Sequence, residues 1–196
     1  MEAAIAPSRF IEDYRAQLLD TVKLIDTELV NRVIEWFREA RHNGRHIFVC
    51  GNGGSASTAS HFVCDINKGA SYSRDRRFKM MALTDNLATI TAYSNDVSYE
   101  CAFAEQLKNF AEPEDIVMAI SGSGNSPNVL RAVEYANSIG CKTIALTGRD
   151  GGKLGPLAHI NIQVPVPHMG RIEDAHMIIC HMIGYYFMDT EYTSTG

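Results

Sequence analysis

"EDIVMAISGSGNSPNV", residues 114–129, is the stretch on which the reading of the whole chain turns. Its first half is an apolar run. Its second half places three serines and two glycines before a segment with helix character. A short apolar run bounded by turn residues reads as a strand buried on both faces. A strand that ends in small hydroxyl residues and passes straight into a helix is half of a strand–helix–strand unit.

The same rhythm recurs on either side. "HIFVC" at 46–50 runs into "GNGGS" and then a helix. "FKMMAL" at 78–83, "KTIALT" at 142–147 and "INIQVPV" at 160–166 are further strands, with helices over 127–138 and about 171–189. Apolar strands alternating with helices predict an α/β fold, a three-layer sandwich with a central parallel sheet covered by helices on both faces. The first 43 residues differ. Apolar positions at Ile11, Tyr14, Leu18, Val22 and Ile25, then Leu29, Val33, Trp36 and Phe37, follow helix spacing. Ser8 is the expected N-cap, and a break near Asp26 divides the stretch in two. We expect one domain over 1–196, with an N-terminal helical segment (1–43), an α/β core (44–190) and a frayed tail.

Composition narrows the function. The 196 residues are 45% hydrophobic and 21% charged, with net charge −5 and no long basic run. Nucleic-acid or membrane binding through bulk charge is disfavoured. No apolar run reaches spanning length and the start lacks a signal-peptide pattern. The five cysteines form no C-x-x-C pair, so they read as small buried residues of a cytoplasmic protein.

Ligands of open parallel sheets bind beyond the carboxyl ends of the strands. "GNGGS" (51–55) and "SGSGNS" (121–126) have that position. Glycines allow close backbone approach, helix N-termini favour anions, and serine hydroxyls add neutral donors. Neither turn carries the Gly-Lys-Ser/Thr of a P-loop or the G-x-G-x-x-G of a dinucleotide site. A cup for a phosphate-sized anion on a small molecule fits both, against the simpler reading of two capped turns. Four residues separate His61 from Asp65 and eight separate Glu173 from His181. Both spacings bring a histidine and a carboxylate towards one helix face. Two such pairs suit Zn²⁺ or another divalent metal, although such pairs also occur as solvated surface partners.

"CGNGGSASTASHF", "AISGSGNSPNVLRAVEYANSIGCKTIALTGRDGG" and "RIEDAHMIICHMI", in that order, resemble the SIS (sugar isomerase) domain, and most of all its phosphoheptose isomerase branch. The resemblance implies a SIS-type fold and an aldose–ketose isomerase. It implies a phosphate held by Ser121, Gly122, Ser123 and Ser126, and a sugar near Asn52, Gly53, Gly54 and Ser55; Asp96 is a second-rank candidate for the substrate site. Asp65 and His181 are the implied acid/base pair. His61, Asp65, Glu173 and His181 are the implied zinc ligands, Glu173 also facing the sugar. A homotetramer with sites at subunit contacts is implied too.

The chain departs from the branch at several places. It has Ser-Gly-Ser for Ser-Thr-Ser at 121–123, Asp65 for Glu, Glu173 for Gln, Gly69 for a common Arg, and Gly170 for an Asp. These leave the reaction class standing and open the choice of sugar. A shorter or sulfonated sugar, or a non-enzymatic role as sugar-phosphate sensor or partner of the replication initiator, are the alternatives. Asp150 is a second-rank site candidate and equally a turn residue.

Overall fold

The computed structural model describes residues 6–191. The chain runs α1 (Pro7–Val22), α2 (Thr27–Asn43), β1 (His46–Gly51), α3 (Gly54–Cys64), β2 (Lys79–Ala82), α4 (Leu87–Asp96), α5 (Ala102–Phe110), β3 (Ile116–Ser121), α6 (Pro127–Ser138), β4 (Lys142–Gly148), α7 (Leu154–Leu157), β5 (Ile160–Val164) and α8 (Met169–Asp189). The five strands form one parallel sheet in the order β2-β1-β3-β4-β5. The α/β sandwich read from the sequence is the fold observed. The tail expected to fray lies, from 192 onward, outside the described residues.

Each face of the sheet carries its own core. On one, Phe37 of α2, Phe62 of α3 and Ile179, Ile183 and Phe187 of α8 pack on Ile47, Val49, Met118 and Ile144. On the other, Phe103 and Leu107 of α5 and Val129, Ala132 and Val133 of α6 pack on Phe48, Val117 and Ala145. β3 is buried at every position, which explains why it reads as an apolar run rather than an alternating one.

The N-terminal break is real and has a local cause. Asp26 accepts hydrogen bonds from the N–H groups of Glu28 and Leu29 at 3.0 and 3.1 Å, capping α2. Ser8 is not the cap of α1: the cap position falls two residues earlier, at Ala6, and Pro7 opens the helix. α2 rests on the sheet, while α1 lies along α8: the Tyr14 hydroxyl donates to Asp174 at 2.5 Å, Arg171 donates to Gln17, and Thr21 and Val22 pack inward at its end. Phe10, Ile11 and Leu19 of α1 are left more than half exposed. α4 and α5 are helices that the sequence pattern did not resolve, and α4 has no buried residue. Of the cysteines, Cys64 is exposed and the other four are buried. No helix of the described residues is long and apolar enough to cross a membrane.

His176 of α8 is fully buried against the end of β4, where its Nε2 meets the Thr147 carbonyl at 3.0 Å. Burial pushes its pKa down to about 4, only partly opposed by that hydrogen bond. The neutral imidazole is therefore the native form. Its contribution is complete above the unfolded value near 6.5 and is lost as pH falls from there towards 4. Roughly 3 kcal/mol is at stake across that window. Denaturant midpoints measured between pH 7 and 4 should fall less steeply in His176→Asn than in the wild type. Equal slopes would show that His176 charges freely in the fold.

Candidate active site

The strand order reverses between β1 and β3, so the chain leaves these neighbouring strands towards opposite faces: α3 on one and α6 on the other. A crevice opens at such a switch point. It is lined by Asn52, Gly53, Gly54, Ser55, Ile120, Ser121, Gly122, Ser123, Ser126, Met169 and Glu173, around about 280 Å³. All the cup residues named from the sequence except Asp96 meet there.

The hydroxyls converge. Ser121 Oγ lies 3.5 Å from Ser123 Oγ and 3.4 Å from Ser126 Oγ, and accepts from the Gly124 N–H at 3.2 Å. Ser126 precedes α6, yet its side chain makes no capping bond to that helix. The capped-turn reading would have spent this hydroxyl on the helix; here it faces the other serines. The N-terminus of α3 adds the positive end of its dipole, while the Ser55, Ala56 and Ser57 N–H groups are already bonded to the Asn52 and Gly53 carbonyls.

An amide pair that the sequence did not reveal holds the two turns together. Asn52 Nδ2 donates to Asn128 Oδ1 at 2.8 Å and Asn128 Nδ2 returns a bond to Asn52 Oδ1 at 2.9 Å. The Tyr99 hydroxyl also donates to Asn52 Oδ1, at 2.6 Å. Asn128 is 1% exposed. A buried Asn just inside a helix was the available signal, but its partner lies 76 residues away.

The histidines gather lower down. α3 and α8 lie side by side, both starting at the crevice. His61 Nε2 is 3.3 Å from Asp65 Oδ2, His181 Nε2 is 3.7 Å from the same oxygen, and the two nitrogens are 3.4 Å apart. Asp65 opens a π-helical turn, in which the Ala70 N–H reaches back to the Asp65 carbonyl at 3.0 Å. Such turns are frequent at functional sites.

The donor set fits a divalent ion. A tetrahedral ion with bonds of about 2.0–2.1 Å holds its ligand atoms about 3.3 Å apart. Asp65 Oδ2 is buried and accepts no hydrogen bond, a state that a cation would relieve. Both imidazoles are exposed enough, at 49% and 40% of the side chain, to admit one.

Three expectations change. Glu173 does not join this cluster. Its carboxylate lies against Gly54, where a methyl group would meet it at 2.6 Å. Eight residues of helix set it about 12 Å above His181 along the axis. For the same reason the cluster sits two turns below the carboxyl edge of the sheet, not at the edge. Asp96, at the end of α4, lines a separate groove with Thr89, Tyr93 and Asn109. Asp150 is a turn residue: its Oδ1 accepts from the Gly152 N–H at 3.1 Å. Gly170 packs against the Tyr14 hydroxyl and Gly69 against Met188.

Comparison with known proteins agrees with this geometry. The SIS domain family matches residues 10–148. A phosphoheptose isomerase of Aliarcobacter butzleri (strain RM4018) is 38% identical over 90% of this chain and 94% of its own. The structure of phosphoheptose isomerase GmhA from Neisseria gonorrhoeae superposes with a TM-score of 0.86 at 29% identity, over 93% of this chain and 98% of that one. A phosphoheptose isomerase structure from Francisella tularensis gives 0.88 at 28% identity, over 95% and 100%. The chain belongs to the SIS domain family, in its phosphoheptose isomerase branch, and is an enzyme of the aldose–ketose isomerase type.

Proposed function

We propose that the protein interconverts sedoheptulose 7-phosphate and an aldoheptose 7-phosphate. One observation carries this reading: the serine cup and the His61–Asp65–His181 cluster stand at two levels of one parallel helix pair. From Gly54 to His61 and from Glu173 to His181, the helical rise separates the levels by about 10–12 Å. An extended seven-carbon chain with its terminal phosphate, advancing about 1.25 Å per C–C bond, spans about 10 Å. With the phosphate in the cup, the carbonyl end of a heptose reaches the cluster and a five-carbon chain falls short. The names of the relatives point to the same sugar.

The chemistry is a 1,2 proton shift. A base takes the proton from the carbon next to the carbonyl, an enediolate forms, and an acid returns a proton to the neighbouring carbon. Asp65 and His181 carry those transfers; the serines and the Asn52–Gly54 segment hold the unreacting end. Glu173, an acceptor beside the cup, orients sugar hydroxyls. His61, Asp65 and His181 would hold a divalent ion such as Zn²⁺, which when bound would polarise the carbonyl and hydroxyl oxygens of the substrate.

We further propose that the enzyme is a homotetramer whose subunits close over these sites. The apolar residues exposed along α1, and α4 with nothing buried, leave two helical faces for partners. The cluster also lies open on its outer side. Light scattering at micromolar concentration should give four chains per particle; a monomer would refute the assembly.

Turnover of sedoheptulose 7-phosphate is the direct test of the reaction. Ser121→Ala and Ser123→Ala should each weaken substrate binding by about 1–2 kcal/mol. The double variant should raise KM more than it lowers kcat, because the phosphate is unchanged in the reaction. Unaltered affinity would remove the serines from the site.

Metal content of protein purified without chelator or histidine tag should approach one divalent ion per chain. His61→Ala should lower it, and His181→Ala should abolish both metal and turnover. Glu173→Gln should raise KM and leave metal content near that of the wild type. Full activity in EDTA would leave Asp65 and His181 as a metal-free acid/base pair.

A further inference from the structure

The wall of the cup facing Gly122 is the first turn of α8. A methyl group built on Gly122 would meet Met169 Sδ at 2.5 Å, and one on Gly148 would meet Ile172 Cδ1 at 2.5 Å. α8 therefore comes down onto bare backbone at the ends of β3 and β4. Of the cup's lining residues, Ile120 and Met169 have large apolar side chains, and Ile120 is 0% exposed. Met169, half-buried, is thus the apolar surface that an occupant of the cup meets.

We propose that Met169 is a specificity-determining residue of this enzyme. Its thioether fills the volume that a side chain at position 122 would take, and it presents an apolar wall to the carbon next to the bound anion. The inference rests on the cup being the anion subsite. The physical reason is a trade. A hydroxyl at 122 would add a neutral donor to the anion, but its Cβ needs the space of the Met169 sulfur. Methionine has a flexible end that moves rather than holding its ground. With Met169 present, a serine at 122 would drive the thioether into the cup and crowd the ligand. With Met169 shortened, the same serine would only add a donor. The effect of residue 122 on anion binding should therefore change sign with residue 169.

The test is a double-mutant cycle read by calorimetric titration of the full-length protein with inorganic phosphate, so that activity is not needed. Gly122→Ser should weaken phosphate binding in the wild-type background. In Met169→Ala it should strengthen binding by roughly 5- to 30-fold, the effect of one added hydrogen bond to a charged group. The same factor in both backgrounds would overturn the proposal and leave the cup intact. Absence of phosphate binding by the wild type, by contrast, would overturn the cup itself.

A second measurement covers the case in which Gly122→Ser does not fold. Wild type and Met169→Ala are titrated with glycerol 3-phosphate and with phosphate. The preference for glycerol 3-phosphate should drop about 4-fold in the variant, the value of one CH₂ group taken out of water. An unchanged preference would show that Met169 does not touch the carbon chain.

Discussion

The adjacency of β1 and β3 at the centre of the sheet is the constraint on which the site depends. Both strands end in turns of glycine and serine, and their chains leave to opposite faces. The crevice is a product of that divergence. The reciprocal bonds between Asn52 and Asn128 then tie one turn to the other at 2.8 and 2.9 Å. Each amide satisfies the other in a place where an unpaired polar group would be costly. The Ser126 hydroxyl faces Ser121 and leaves its helix uncapped, while Ser121 and Ser123 accept from the Gly124 and Asn125 N–H groups of the turn.

The second organising feature is the parallel pairing of α3 and α8. Both begin at the crevice, so their first turns line it, and farther along His61 of α3, Asp65 just past its end and His181 of α8 come together. The serine crevice and the histidine cluster are thus held on the same two rods at different heights. Rigid helices hold such spacing better than loops. The pairing also explains why the two carboxylates lie apart. Asp65 lies low, with an oxygen that accepts no hydrogen bond between two imidazoles. Glu173 lies high, against Gly54.

Electrostatics agree with this division. A chain of net charge −5 has no global field to draw an anion. The crevice instead presents serine hydroxyls and the positive end of a helix, which act at short range. Beneath it, His176 is kept neutral by burial. The imidazole that packs the sheet and those that face the solvent cluster differ in environment, although His176 and His181 stand on one helix.

The alternation of apolar runs with glycine-serine turns was legible without coordinates, because a strand buried on both faces must be apolar throughout and a turn that approaches a ligand must be small. That pattern determined the parallel sandwich, the two turns and the residues of the cup. Spacing of four along a helix placed His61 beside Asp65, since local geometry alone sets that distance. It could not place Glu173. Two groups eight residues apart share a face but not a height, and only the packing of α8 on α3 decided which of them faces the cup and which faces the histidines. The weakly patterned α4 was invisible for a related reason: a helix that buries nothing carries no periodic signal. The Asn52–Asn128 bond and the seat of Met169 over Gly122 were equally beyond reach, because each joins segments brought together by the order of the strands.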